Sequence, residues 1–221
     1  MVELLSAEKF KDKKQDYSPF LVHLTKDKKS DSGITLAKDI LYNIIKTKEL
    51  KAFNHFCFFN PALESSPFQD KFNAVCFTET PISNIEILTA NVIGKSLKLE
   101  PYGLVFTKDF IREMGGNPVF YASSDIAKLF WELYNALPKS NTDSKKICKL
   151  LALVTVCEKY NDWHWEREWR IIGDLNFTYS DIKFGLCPEE DIPYFKNNFP
   201  QVTFISPAWR INKIINALLE K

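Results

Sequence analysis

The chain has 221 residues and carries 29 basic and 28 acidic side chains, so its formal net charge is +1. This balance excludes a protein that coats nucleic acid or a membrane by bulk charge. The hydrophobic fraction of 45% excludes wholesale disorder, and the length allows a sizeable core.

The first half of the chain alternates strand and helix signals. Residues 1–18 are polar and Lys-rich, which predicts a loose N-terminal arm. Residues 20–25 are β-branched and aromatic and predict a strand. Apolar residues at helical spacing from Leu36 predict an amphipathic helix. A second strand is predicted at 74–80, and Pro81 is placed to open a helix.

The second half continues the same alternation up to a closing helix. Strands are predicted at 104–106, 118–121, 169–173, 181–186 and 202–205. Helices are predicted at 123–137, 144–160, 188–198 and 207–221. Because no repeat or composition break divides the chain, we predict a single α+β domain over residues 1–221, with its core at 20–206.

Glycine, cysteine and apolar patterns exclude several kinds of site. With only 7 Gly, the sequence contains neither a GxGxxG nor a GxxxxGK[ST] phosphate loop. The five cysteines show no CxxC spacing and form no zinc pattern with the three histidines, which predicts reduced thiols and no metal. The N-terminus is too charged for a secretory signal, and the longest apolar run, 150–157, is far shorter than the roughly 20 residues of a membrane span. We therefore predict a cytoplasmic protein with no membrane partner.

An imidazole and a hydroxyl lie two residues apart on the first predicted strand, at His23 and Thr25. In a strand they share the face opposite Phe20, Val22 and Leu24. Together they can bind one polar ligand, and the alternative is a histidine whose partners all lie within the fold.

Residues 163–170 combine three Trp, two Glu and two Arg. If a strand begins here, Glu166, Glu168 and Arg170 point to one face. Carboxylates and a guanidinium are costly to bury without partners. Two interpretations stay open: a surface ladder of Glu and Arg over a Trp-covered core, or a carboxylate at the edge of an aromatic pocket, where it stabilises a developing cation.

Five short segments, taken in order, resemble the abortive-infection proteins of the AbiGi type from bacterial phage defence. They are His-Leu-Thr (23–25), Val-Cys-Phe-Thr-Glu-Thr-Pro (75–81), Tyr-Gly-Leu-Val-Phe (102–106), Gly-Asn-Pro-Val-Phe-Tyr (116–121) and Glu-Arg-Glu-Trp-Arg (166–170). That family is similar, more distantly, to ADP-ribosyltransferase-like proteins, including DarT-type toxins. The resemblance implies an ADP-ribosyltransferase-like α+β fold, with split mixed or antiparallel β-sheets and flanking helices.

The same resemblance implies NAD as co-substrate and assigns the catalytic and ribose-binding residues. His23 and Thr25 match the pair that holds the nicotinamide ribose. Glu168 matches the catalytic carboxylate, and Glu166 precedes it as the first member of an ExE pair. Arg170, on the same predicted face, joins the cofactor-binding set.

The aromatic that stacks on nicotinamide is Phe59 or Phe77 under this resemblance, where the family usually has Tyr. The segment 58–61 also lacks the Arg that DarT-type toxins carry near a similar Asn-Pro.

The implied function is an enzyme of phage defence or toxin type that uses NAD to modify a nucleic acid or a protein. An antitoxin or a phage protein is the expected partner. One alternative is a catalytically degenerate sensor that binds a nucleotide or a phage protein. The other is a nuclease in which Glu79, Glu166 and Glu168 hold a divalent metal.

Overall fold

The computed structural model describes residues 17–31, 33–54, 72–89, 98–136, 142–159 and 162–219. Phe59 and nearly all of the predicted N-terminal arm lie outside these residues.

Short strands and short helices alternate along the described residues. The strands are Phe20–Leu24 (β1), Lys28–Ser30 (β2), Gly33–Thr35 (β3), Glu49–Leu50 (β4), Phe53–Asn54 (β5), Asn73–Thr78 (β6), Gly103–Thr107 (β7), Asn117–Pro118 (β8), Phe120–Ala122 (β9), Val154–Val156 (β10), Glu168–Ile172 (β11), Leu175–Asn176 (β12), Phe184–Leu186 (β13) and Phe204–Ile205 (β14). The α-helices are Ala37–Thr47 (α1), Ile85–Leu88 (α2), Lys108–Glu113 (α3), Ser124–Ala136 (α4), Thr142–Leu151 (α5), Ile192–Asn198 (α6) and Ile211–Leu219 (α7). Short 3-10 turns lie at Ile82–Asn84, His164–Glu166 and Glu189–Asp191. Within the described part of the chain, no helix combines the length and apolar character that crossing a bilayer requires.

The predicted α+β class is confirmed. Helix α1 illustrates how the spacing of apolar residues in the sequence predicts a helix. Ala37, Leu41 and Ile45 are four residues apart and are all buried on one side of the helix.

Two predicted elements differ from the structure in their type or pairing, beyond shifts of their ends. The helix predicted at 144–160 ends at Leu151, and the β-branched segment Val154–Val156 forms β10 instead. The strand predicted at 118–121 is divided at Val119 between β8, which pairs with β11, and β9, which pairs with β10.

The chain forms two compact units, each assembled from non-contiguous segments. Unit 1 comprises Met1–Lys46, Glu79–Lys108 and Tyr179–Lys221, and unit 2 comprises Thr47–Thr78 and Asp109–Thr178. The single-domain organisation stays a prediction.

Unit 1 contains a mixed sheet in the order β14–β13–β7–β1, in which only β13 and β14 run parallel. One face of the β1–β7 ladder packs into a core that includes Val22, Val105 and Phe184. A methyl group on Gly103 would overlap the carbonyl oxygen of His23, so the close approach of β1 and β7 requires glycine there.

Unit 2 contains an antiparallel sheet in the order β5–β6–β11–β8, together with the parallel pair β9–β10. In the β6–β11 ladder, Glu168 pairs with Thr78 and Arg170 pairs with Cys76. Because paired residues share a face, these four side chains lie on one side of the sheet. The core of the unit includes Phe72, Ala122, Tyr134, Cys148, Leu151 and Val154.

The Asp191 side chain links three segments of unit 1. Its carboxylate also makes the stability of unit 1 depend on pH. The Lys38 ammonium lies 2.5 Å from its carboxylate, and the Tyr102 hydroxyl donates to it at 2.6 Å. Burial acts to raise the pKa of Asp191, but these two donors outweigh burial and hold the pKa below its ordinary value of 3.8. A carboxyl whose pKa is lower in the folded state adds stability above about pH 4, and this stability is lost as the pH falls through the folded pKa.

We therefore expect Asp191→Asn to flatten the dependence of the free energy of unfolding on pH below about pH 4. Denaturant unfolding at a series of acidic pH values measures this slope. Asp39→Asn, which removes an exposed carboxylate from the same helix as Lys38, serves as the control and should keep the wild-type slope. Equal slopes in wild type and Asp191→Asn would contradict the expectation.

Candidate functional site

The carboxylate of Glu168 at the start of β11 is the centre of the candidate site in unit 2. Arg170 binds it in a bidentate manner, with Nε 2.9 Å from Oε1 and Nη2 2.7 Å from Oε2. The Arg170 side chain is only 3% exposed, whereas Glu168 retains 14%. The carboxylate is thus held from the buried side and stays partly accessible.

The remaining donors of Arg170 bind the backbone and side chain of β10 and the turn before it. Nη1 donates to the carbonyl oxygens of Ala152 at 2.8 Å and Val154 at 3.5 Å, and Nη2 donates to Thr155 Oγ1 at 2.8 Å. With the two bonds to Glu168, all five N–H groups of the guanidinium have protein acceptors. Arg170, predicted to bind the cofactor, is therefore placed to orient Glu168.

Tyr121, which sequence reasoning did not assign to the site, fixes the backbone of Glu168. Its hydroxyl accepts a 2.7 Å hydrogen bond from the Glu168 N–H. Burial raises the pKa of Tyr121 well above its ordinary value, so the hydroxyl stays neutral at physiological pH. The His164 ring packs against the Tyr121 ring at 4.7 Å between centroids.

The thiol of Cys76 completes the immediate surroundings of the carboxylate. Burial, followed by the negative charge of the neighbouring Glu168, raises the pKa of this thiol. An ionised carboxylate offers about four lone-pair sites. The two hydrogen bonds from Arg170 use two of them, which leaves acceptor capacity for a ligand hydroxyl.

Glu166 does not share the strand face of Glu168, contrary to the period-two pattern. It belongs to the turn His164–Glu166, and Arg167 follows in a left-handed conformation with φ of 46°. The strand therefore begins at Glu168, close to the predicted strand at 169–173, and does not extend back to Glu166. The backbone carbonyl of Glu166 accepts a 2.7 Å hydrogen bond from the Thr78 hydroxyl.

Phe77 lies on the opposite face of the unit 2 sheet from Glu168. It pairs with Trp169, and its side chain is 2% exposed. Because neighbouring strand residues point to opposite faces, Phe77 does not border the carboxylate, so it cannot stack on a ring bound there. The other stacking candidate, Phe59, lies outside the described residues.

His23 and Thr25 belong to unit 1, where β1 ends at Leu24 between them. His23 is half-buried and shares its strand face with Leu21 and its register partner Leu104, both fully buried. The Thr25 hydroxyl is buried and lies 3.0 Å from the Ala37 carbonyl oxygen, so its proton has an acceptor within the fold.

Glu79, a predicted metal ligand of the nuclease alternative, lies in unit 1 and is paired with Lys108. The ammonium is 2.6 Å from the carboxylate, and the side chains are 4% and 11% exposed for Lys108 and Glu79. A cation already neutralises this carboxylate, which disfavours a divalent metal there.

No family model, curated protein or solved structure matches the chain.

Proposed function

We propose that the chain is an ADP-ribosyltransferase-like enzyme of phage defence or toxin type that uses NAD to modify a nucleic acid or a protein. Glu168 is the catalytic carboxylate, and Arg170 is its positioning residue. The observation that supports this assignment is the bidentate fixing of a partly exposed Glu168 at the start of β11. The resemblance to AbiGi-type and ADP-ribosyltransferase-like proteins implies the same glutamate and a split-sheet fold.

The reaction requires a fixed negative charge beside the ribose. The bond between ribose C1′ and the nicotinamide nitrogen breaks, and its electron pair leaves with nicotinamide. A nucleophilic atom of the target then bonds to C1′ and loses a proton. Positive charge builds on the ribose in the transition state, so a carboxylate that cannot rotate away stabilises this state more than the ground state. A remaining acceptor site of Glu168 binds a ribose hydroxyl and sets the distance.

Aromatic side chains next to Glu168 offer the surface on which nicotinamide stacks. The Tyr121 and His164 rings are in contact, and the Trp163 and Trp165 rings lie 6.2 Å apart in the adjoining turn. Stacking on an aromatic face suits a planar, cationic ring. In this proposal these rings replace Phe77, while the roles of His23 and Thr25 in holding NAD stay predictions from the resemblance.

Glu168→Gln tests the proposal because it keeps the shape of the side chain and removes its charge. Wild-type protein is incubated with NAD and with DNA, RNA or a protein mixture, and released nicotinamide is measured. We expect Glu168→Gln to lower kcat by about 10²–10³-fold, the loss typical of one electrostatic group, with a smaller change in KM.

The control for this experiment is Glu132→Gln, which removes an exposed carboxylate of the same unit and should leave the rate unchanged. Circular dichroism of both variants confirms that they fold. Absence of nicotinamide release by wild type in every mixture, or equal release by Glu168→Gln, would refute the assignment.

A second function, a sensor that binds a nucleotide without turnover, is favoured by one observation. Arg170 forms two hydrogen bonds to Glu168 and offsets its charge, which weakens the effect of the carboxylate on a developing cation. Calorimetry with NAD and ADP-ribose separates the two functions. Binding without nicotinamide release supports the sensor, whereas release that depends on Glu168 supports the enzyme.

A further inference from the structure

A second cluster of polar side chains lies in unit 2 and takes no part in binding Glu168. Donor atoms of Cys157, Asp162 and His164 all lie within 4.8 Å of one another. The thiol is buried and free of a disulfide, whereas Asp162 and His164 are exposed. These three residues, with Glu158 and Lys159, line an open surface depression of about 250 Å³.

We propose that this cluster is a divalent transition-metal site, for which Zn²⁺ is the best-fitting ion. Sulfur, imidazole nitrogen and carboxylate oxygen are the donors that Zn²⁺ takes in proteins, at roughly 2.0–2.3 Å. Hard ions such as Mg²⁺ and Ca²⁺ prefer sites made only of oxygen and do not suit a thiol. Three protein donors leave a fourth position of the tetrahedron for water or for the neighbouring Glu158 carboxylate.

Backbone hydrogen bonds already hold two of the donors in place. The Trp163 N–H donates to Cys157 Sγ at 3.3 Å, and the His164 N–H donates to Asp162 Oδ1 at 2.9 Å. His164 Nδ1 lies 2.6 Å from the same oxygen. Asp162 and His164 are exposed and their side chains already meet at hydrogen-bond distance, so metal binding would exchange this hydrogen bond for a bond from each side chain to the ion.

The same three residue types also make up a Cys–His–Asp catalytic triad, but their geometry here differs from one. In a triad the imidazole lies between the carboxylate and the nucleophile, which places the carboxylate oxygen about 8 Å from sulfur. Here a carboxylate oxygen of Asp162 and the sulfur of Cys157 are within 4.8 Å. Three donors that all lie within 4.8 Å of one another favour chelation over proton relay.

A metal at this position would also restrain the neighbouring rings. His164 packs against Tyr121, and the Tyr121 hydroxyl binds the Glu168 backbone. Metal binding shares His164 with the proposed nicotinamide surface, but it requires no NAD and is measured without it.

The test uses the full chain without a histidine tag, freed of metal with a chelator. Zn²⁺ is titrated by calorimetry, and Co²⁺ is used as a spectroscopic probe of thiolate coordination. We expect one ion per chain and a thiolate-to-cobalt charge-transfer band. Cys157→Ser should abolish the band. His164→Ala and Asp162→Asn should weaken binding at least 10–100-fold, roughly the loss seen even for groups that contact a metal indirectly.

Cys187→Ser is the matched control, because it removes a buried thiol of unit 1 whose pKa burial raises to about 12. This variant should keep both the band and the affinity. Since His164 and Asp162 are exposed, their variants should fold even if Cys157→Ser does not. The proposal is overturned if neither ion binds, if binding gives no thiolate band, or if His164→Ala and Asp162→Asn bind as tightly as wild type.

Discussion

Arg170→Met is expected to lower the free energy of unfolding by about 3–5 kcal/mol, the usual cost of breaking a buried ion pair. The change leaves the Glu168 carboxylate without its guanidinium and removes the hydrogen bonds from Arg170 to the carbonyl oxygens of Ala152 and Val154. Methionine fills part of the volume but donates no hydrogen bond, so the main loss is electrostatic. Denaturant unfolding followed by tryptophan fluorescence measures the effect.

Arg112→Met is the matched control for Arg170, because the ion pair of Arg112 with Asp109 is exposed. Exposed pairs contribute about 0–1 kcal/mol, so this variant should stay close to wild type. The double variant Arg170→Met with Glu168→Leu should recover part of the loss, since it leaves no stranded charge. A cost below about 1 kcal/mol for Arg170→Met would show that the buried guanidinium is not needed.

Lys108→Met is expected to have the second large effect, again about 3–5 kcal/mol. Its ammonium neutralises the buried Glu79 at 2.6 Å and also lies 3.9 Å from the centroid of the Tyr17 ring. Removing it leaves a carboxylate of 11% exposure without this cation and removes a cation–π contact. Chemical denaturation at neutral pH measures the loss.

Lys213→Met provides the comparison for Lys108, because Lys213 and its partner Glu189 are both more than half exposed. We expect it to change stability by less than about 1 kcal/mol. Lys108→Met combined with Glu79→Leu should be more stable than Lys108→Met alone. If the double variant is no better, the cost comes from lost packing of the lysine stem and not from the stranded charge.

Patterns of neighbouring residues predicted the elements that are stabilised by hydrogen bonds between residues close in the sequence. The spacing of Ala37, Leu41 and Ile45 indicates α1 because a helix hydrogen-bonds only within itself. The end of α5 was harder to predict, because Val154–Val156 is apolar enough to continue a helix. This segment is a strand because it pairs in parallel with Phe120–Ala122, more than thirty residues away. A prediction from neighbouring residues alone cannot include that partner.

In the candidate site, too, the sequence predicted the regular part of the strand but not the turn before it. Period-two spacing correctly placed Glu168 and Arg170 on one face, because alternation is a property of any strand. It failed for Glu166, because the left-handed Arg167 starts the strand two residues later than the pattern indicates. Arginine rarely adopts this conformation, so the residue type at position 167 gave no reason to predict a left-handed turn.

The sequence by itself determined the α+β class, the amphipathic face of α1 and the shared strand face of Glu168 and Arg170 on β11. Only the tertiary structure decided that the Tyr121 hydroxyl binds the Glu168 backbone and that Phe77 lies on the opposite face of the sheet. It also brought Cys157 next to Asp162 and His164, at a spacing that matches no standard metal motif. The physical reason is that strand pairing joins residues distant in the sequence through backbone hydrogen bonds, which nearly every residue type can make.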